Sequence, residues 1–78
     1  MFIEIKENEM INVCEIAAFH TYYNSNDESV RRNLYIRMKG ANDWIRIPFE
    51  TVRDCKAAYR RIIRALRHRN IVVEELIE

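Results

Sequence analysis

LYIRMKGANDWIRIPF, residues 34–49, alternates apolar and polar side chains on both sides of a turn. Leu34, Ile36 and Met38 alternate with Tyr35, Arg37 and Lys39; Gly40 to Asp43 break the run; Ile45, Ile47 and Phe49 then alternate with Trp44 and Arg46. A period of two either side of a glycine-containing turn predicts a β-hairpin with one apolar face. Pro48 has no N–H to give a ladder, so it belongs at the strand end, closing the hairpin before the next element.

Downstream the period changes. Thr51 with Asp54 three positions on resembles a capping box, with Asp shorter than the usual Glu or Gln, and a helix over residues 51–69 is predicted. At about 100° per residue, Val52, Cys55, Tyr59, Ile62, Ile63 and Leu66 share a sector of about 100°, a stripe suited to covering a sheet. Arg67, His68 and Arg69 suit the negative end of the helix dipole, and Asn70 can adopt the left-handed conformation that stops a helix. The last eight residues, IVVEELIE, mix strand and helix formers. An extended start at Ile71 is expected, with an edge strand, a short helix or a segment docking on a second subunit all open.

Upstream, FIEIK (residues 2–6) places Ile3 and Ile5 on one face and Glu4 and Lys6 on the other. ENE turns it, MINV (10–13) returns as a second strand, and CEI (14–16) forms a corner. Residues 17–24, with Phe19, Thr21, Tyr22 and Tyr23, are predicted as a third strand, and SNDESVRRN (25–33) as an exposed loop. Strands first and one helix last predict an α+β fold: an antiparallel sheet of four to five strands with one C-terminal helix packed on one face. Ile3, Ile5, Leu34, Ile36, Ile45 and Ile47 are expected to point at that helix. Seventy-eight residues make a single domain, 1–78, with modest stability as a monomer.

The composition is that of a folded domain, 49% hydrophobic and 32% charged with one Gly and one Pro. The longest apolar run, Ile16 to Phe19, is far short of the roughly 20 residues that cross a bilayer, and no basic start leads into an apolar stretch. A cytoplasmic protein is expected, with no membrane partner. Cys14 and Cys55, 41 positions apart, are read as small core residues and not as a disulfide.

Net charge is +1, distributed unevenly: residues 1–30 carry −5, 31–50 carry +3, 51–69 carry +6 and 70–78 carry −3. Arg53, Lys56, Arg60, Arg64 and Arg67 fall in a sector about 80° wide beside the apolar stripe and form a line about 21 Å long. Arg61 and His68 lie next to it. Plain solvation or neutralisation by the chain's own acids explains such a line; so does an acidic protein partner, or a nucleic acid whose phosphates suit the guanidinium fork. Ala58 and Ala65, seven apart on the other flank, suit close packing within the core or a helix-mediated dimer contact.

If the apolar side of the sheet meets the helix, its reverse presents Tyr35, Arg37, Trp44 and Arg46, with His20 and Tyr22 from the third strand. Aromatics interleaved with arginine make cross-strand pairs, protein interfaces, or surfaces on which bases stack. Chemistry of other kinds finds little footing. His20 and His68 sit on separate elements, no Cys or His pair has metal-ligand spacing, the single glycine gives no phosphate-cradling loop, and no nucleophile has an evident base. So small a fold is expected to leave scant room for a substrate pocket of about 300 Å³ or more. No catalytic residue, cofactor, metal or small-molecule substrate is expected.

INVCEI, then a strand, LYIRMKG, WIRI and a helix opening near ETVRD together resemble the small bacterial and phage FlbD-like proteins, through Ile11, Asn12, Ile16 and Gly40 and over roughly residues 2 to 66. The resemblance implies antiparallel strands followed by a C-terminal helix, in a regulatory or phage-related setting. The aromatic third strand, the nine-residue loop and the Arg-rich helix depart from that pattern. The function expected is a small non-catalytic binding protein acting through protein–protein interaction, by self-association or docking to a larger assembly. The alternative is a nucleic-acid-binding accessory protein using the arginine stripe.

Overall fold

The computed structural model describes residues 1–68. Its elements in chain order are strands β1 (Phe2–Lys6) and β2 (Glu9–Asn12), a 3-10 turn (Val13–Glu15), β3 (Ile16–Thr21), helix α1 (Glu28–Arg31), β4 (Asn33–Met38), β5 (Ile45–Pro48) and helix α2 (Val52–His68). The class is α+β, as the alternation requires, but the strands form two antiparallel sheets, β1-β2 and β3-β4-β5, rather than one sheet of four to five. The split originates at Asn12. Its side-chain Oδ1 accepts from the Cys14 N–H (3.1 Å), capping the 3-10 turn, and this bends the chain out of the first ribbon. Val13 N–H then donates to the Met1 carbonyl (2.9 Å), and Lys39 N–H to that of Glu15 (2.7 Å), so the corner is bonded to both sheets.

In the ribbon, Ile3 faces Ile11 and Glu4 faces Met10; the turn is closed by Asn8 at φ 63°, a left-handed conformation that asparagine tolerates. In the larger sheet Phe19, Ile36 and Ile45 form one row, Thr21, Leu34 and Ile47 the next, and His20, Tyr35 and Arg46 the row on the reverse side. β3 ends at Thr21, so Tyr22 lies just past it, and Trp44 just precedes β5. Gly40 at φ 80° makes the hairpin turn, with Ala41 N–H donating to the Met38 carbonyl (3.1 Å).

The nine-residue loop contains α1. Asp27 caps it, accepting from the Ser29 N–H (2.9 Å) and hydroxyl (2.6 Å), and these bonds, the hydroxyl first, hold its carboxyl below the usual value. Asn33 Nδ2 donates to the Ser29 carbonyl (3.1 Å), tying α1 to the start of β4, and Phe49 N–H donates to the Arg32 carbonyl (2.9 Å), fastening the loop to the segment that leads into α2. There Thr51 Oγ1 accepts from the Asp54 N–H (3.0 Å), the helix-starting half of a capping box.

Helix α2 crosses the inner side of the sheet and packs on β1, β4 and the 3-10 turn. Leu34, Ile36, Cys55, Ala58 and Ile62 are fully buried together with Val13, and Ile5, Ile11, Ile47, Phe49 and Leu66 complete the core. Ile45 departs from expectation: it shares a row with Ile36 yet is 49% exposed. At the Pro48 end of β5 the chain is closed over, with Lys6 Nζ donating to the Pro48 carbonyl and Ile47 and Phe49 buried, and Ile45 is at the opposite end. The expected stop at Asn70 and the extended start at Ile71 lie outside the described residues.

Candidate protein-interaction surfaces

Alternation sends Tyr35 and Arg37 to the side of β4 away from the core, and the β3–β4 register sets His20 opposite Tyr35. His20 becomes the hub of a ring cluster. It stacks on Tyr35 (centroids 5.1 Å, planes 10° apart) and meets Tyr22 and Trp44 edge to face, each at 4.8 Å. Tyr22 also meets Tyr35 edge to face (5.3 Å), and the Arg37 guanidinium lies 5.7 Å from the Trp44 ring centre. Arg46 stands opposite Tyr35 on β5. All six residues proposed from sequence for this face are therefore brought together. Trp44 remains 44% and Tyr22 42% exposed, so the rings support one another without being covered. Among the described residues no carboxylate occupies a strand position on this side.

The helix stripe is placed as its spacing requires: Arg53, Lys56, Arg60, Arg64 and Arg67 are all exposed along one side of α2. Lys56 Nζ lies 5.7 Å from the Tyr23 ring centre. Among the described residues no carboxylate stands within ion-pair distance of Arg53, Arg60 or Arg64. Ala58 is fully buried within the chain, the packing role of the two left open, and this takes it out of reach of a second helix. Ala65 is half-buried against the core.

Between β1 and α2 lies an open depression of about 500 Å³, lined by Met1, Ile3, Glu4, Arg61, Arg64 and Ala65. The sequence led us to expect no room of this size. The split into two sheets creates it, because β1 runs beside the helix instead of continuing the larger sheet. Among the described residues its lining contains no histidine, cysteine or hydroxyl side chain. Cys55 is buried and Cys14 half-buried, both as free thiols, and burial pushes the Cys55 thiol up to about 11. Among the described residues no three His, Cys, Asp or Glu side chains gather to hold a metal ion, and no helix is long and apolar enough to cross a membrane.

A further surface was missed in sequence. Phe2 and Met10, 66% and 57% exposed, lie on the outer side of the β1-β2 ribbon, Phe2 opposite Asn12 and Met10 opposite Glu4. The signal was available: the alternation that turns Ile3, Ile5 and Ile11 inward directs Phe2 and Met10 outward. Glu4, Glu7 and Glu9 are exposed on the same ribbon. No protein-family model, curated protein or solved structure matches the chain.

Proposed function

We propose that this chain is a non-catalytic binding domain acting through protein–protein contact, with the outer face of the three-stranded sheet as its contact surface. The observation that carries this reading is the uncovered ring cluster around His20. Trp, Tyr and Arg are the residue types concentrated where interfaces derive most of their binding energy. Rings held by one another lose little freedom on binding, which lowers the entropic cost of association. Two free thiols suit a cytoplasmic setting. Affinity isolation from the native cell tests the reading, comparing the wild type with a Trp44→Ala, Tyr22→Ala double variant of unchanged circular dichroism. A protein retained by the wild type and lost by the variant supports it; equal retention by both overturns it.

A nucleic-acid reading is favoured by a separate observation, the exposed stripe on α2 whose Arg53, Arg60 and Arg64 find no carboxylate among the described residues. Contact of five cations with duplex phosphates would make log affinity fall with log salt at a slope of about −4.5. A flat response removes this second reading.

A further inference from the structure

Two exposed surfaces of this molecule are opposite in charge and alike in apolar content. The outer sheet face carries His20, Tyr35, Arg37 and Arg46 and, among the described residues, no carboxylate at its strand positions. The outer side of the ribbon carries Phe2 and Met10, the two most exposed large hydrophobics among the described residues, beside Glu4, with Glu7 exposed in the adjoining turn. Taking the aromatic face as the contact surface proposed above, we propose that its partner is the β1-β2 ribbon of a second copy of this chain, so that copies associate head to tail.

Neither surface suits itself. A two-fold contact of face on face would bring two arginine-bearing surfaces together, and ribbon on ribbon two surfaces bearing Glu4 and Glu7, so like charges would meet in either case. Each suits the other. Met10 offers a flexible thioether to the exposed edges of Trp44 and Tyr22, a contact that sulfur and aromatic rings favour. The ribbon's carboxylates meet the guanidinium groups of Arg37 and Arg46. Arg37 donates to the Ala41 carbonyl (3.5 Å) and lies by the Trp44 ring, neither of which neutralises its charge, and among the described residues no carboxylate stands at a strand position beside them.

Nor can one copy satisfy both surfaces. Ile5 and Ile11 are buried in the same core as Leu34 and Ile36, so the ribbon sits on the inner side of the sheet. Strand alternation then turns Phe2, Glu4 and Met10 away from that core on one side, and His20 and Tyr35 away from it on the other. The contact must be intermolecular. Each copy would hold one of each surface, so association continues as an open chain or closes as a ring.

Sedimentation equilibrium of the full chain tests this, together with Trp44→Glu, which disables the face, and Met10→Lys, which disables the ribbon. The wild type is expected to exceed dimer mass as concentration rises and to dissociate in part as salt is raised to about 0.5 M, where charges are strongly screened. Each variant alone is expected to associate at least roughly 30-fold more weakly, the loss typical of a binding hot spot. An equimolar mixture of the two is expected to form a pair of chains and stop there, because one intact ribbon meets one intact face. Tyr22→Glu and Glu4→Lys replace either variant whose circular dichroism shows that it has not folded. A wild type that stays monomeric to millimolar concentration, a single variant that still associates fully, or a mixture that stays monomeric overturns the proposal. Should that happen while a foreign protein is still retained through Trp44, the binding reading survives and only the self-partner falls; if no protein is retained either, both fall.

Discussion

Strand β4 presents two sides built under different constraints. Leu34 and Ile36 are sealed under α2 with Ile62 and Ala58, while Tyr35 and Arg37, one residue out of phase, form a ring surface that no other part of the described chain covers. On the inner side volume and shape decide which residues fit, since a packed core responds to every methylene. On the outer side charged residues would serve solubility equally well. The difference teaches where to look for function: aromatic content that packing does not demand is informative, and buried apolar content is not.

The largest effect that separates the two sides is loss of core volume. Leu34→Ala or Ile62→Ala is expected to destabilise by about 2 to 5 kcal/mol in urea unfolding, a large share of the stability of so small a domain. Tyr35→Ala, from the reverse of the same strand, is expected to cost less than about 1.5 kcal/mol. Equal losses from Leu34→Ala and Tyr35→Ala would erase the distinction.

Next comes the inner side's thiol. Cys55 ionises at about 11 when folded against 9.0 ordinarily, and burial favours the neutral thiol. Its folded value is raised, so its contribution to stability is intact below pH 9 and is lost as pH rises towards 11. The difference in unfolding free energy between wild type and Cys55→Ala should therefore shrink over that window by at most about 2 to 3 kcal/mol. A difference independent of pH would place Cys55 in contact with water. A thiol reagent at neutral pH should modify half-buried Cys14 first and Cys55 only on unfolding.

Thr51→Ala removes the cap of the helix that covers the inner side and is expected to cost about 1 kcal/mol. It should leave binding through the outer face unchanged once the protein is folded. Of the same order is the coupling within the ring cluster. A double-mutant cycle on His20 and Tyr35 should give about 0.5 to 1.5 kcal/mol, the range for stacked rings. No coupling would mean that the rings are neighbours without supporting one another.

Alternation in residues 34–49 and the helical stripe from Val52 to Leu66 carried most of the fold, because both are regular patterns whose period fixes which side chains share a face. What they could not carry was local or long-range. The division into two sheets depends on one side-chain bond from Asn12 at a corner, and α1 is four residues long, too short to show a period, with only Asp27 as its cap signal. The membership of the ring cluster was legible, Tyr35, Arg37, Trp44 and Arg46 from the hairpin and His20 and Tyr22 from the third strand, but its internal pairing was not. The place of His20 beside Tyr35 depends on the β3–β4 register, which passes across a bulge between Ile16 and Ala18 that no pattern in the chain announces.

Ile45 marks the limit of the same logic and gives the smallest predicted effect. Alternation correctly puts it on the side of Ile47 and Ile36, yet a period says which way a side chain points and nothing about whether anything lies there to cover it. Burial is what converts an apolar side chain into stability, at about 25 cal/mol per Å² removed from water. Ile45, half in solvent at the far end of β5 from Lys6, has little of that to lose. Ile45→Thr, which keeps the β-branch the strand favours, is therefore expected to change stability by no more than about 0.5 kcal/mol. Ile47→Thr, two residues along the same side of the same strand, should instead cost about 1 to 3 kcal/mol for a hydroxyl placed in the core. Comparable losses at both positions would mean that the cover over β5 extends along its whole length, and that the inner side is closed where the described contacts leave it open.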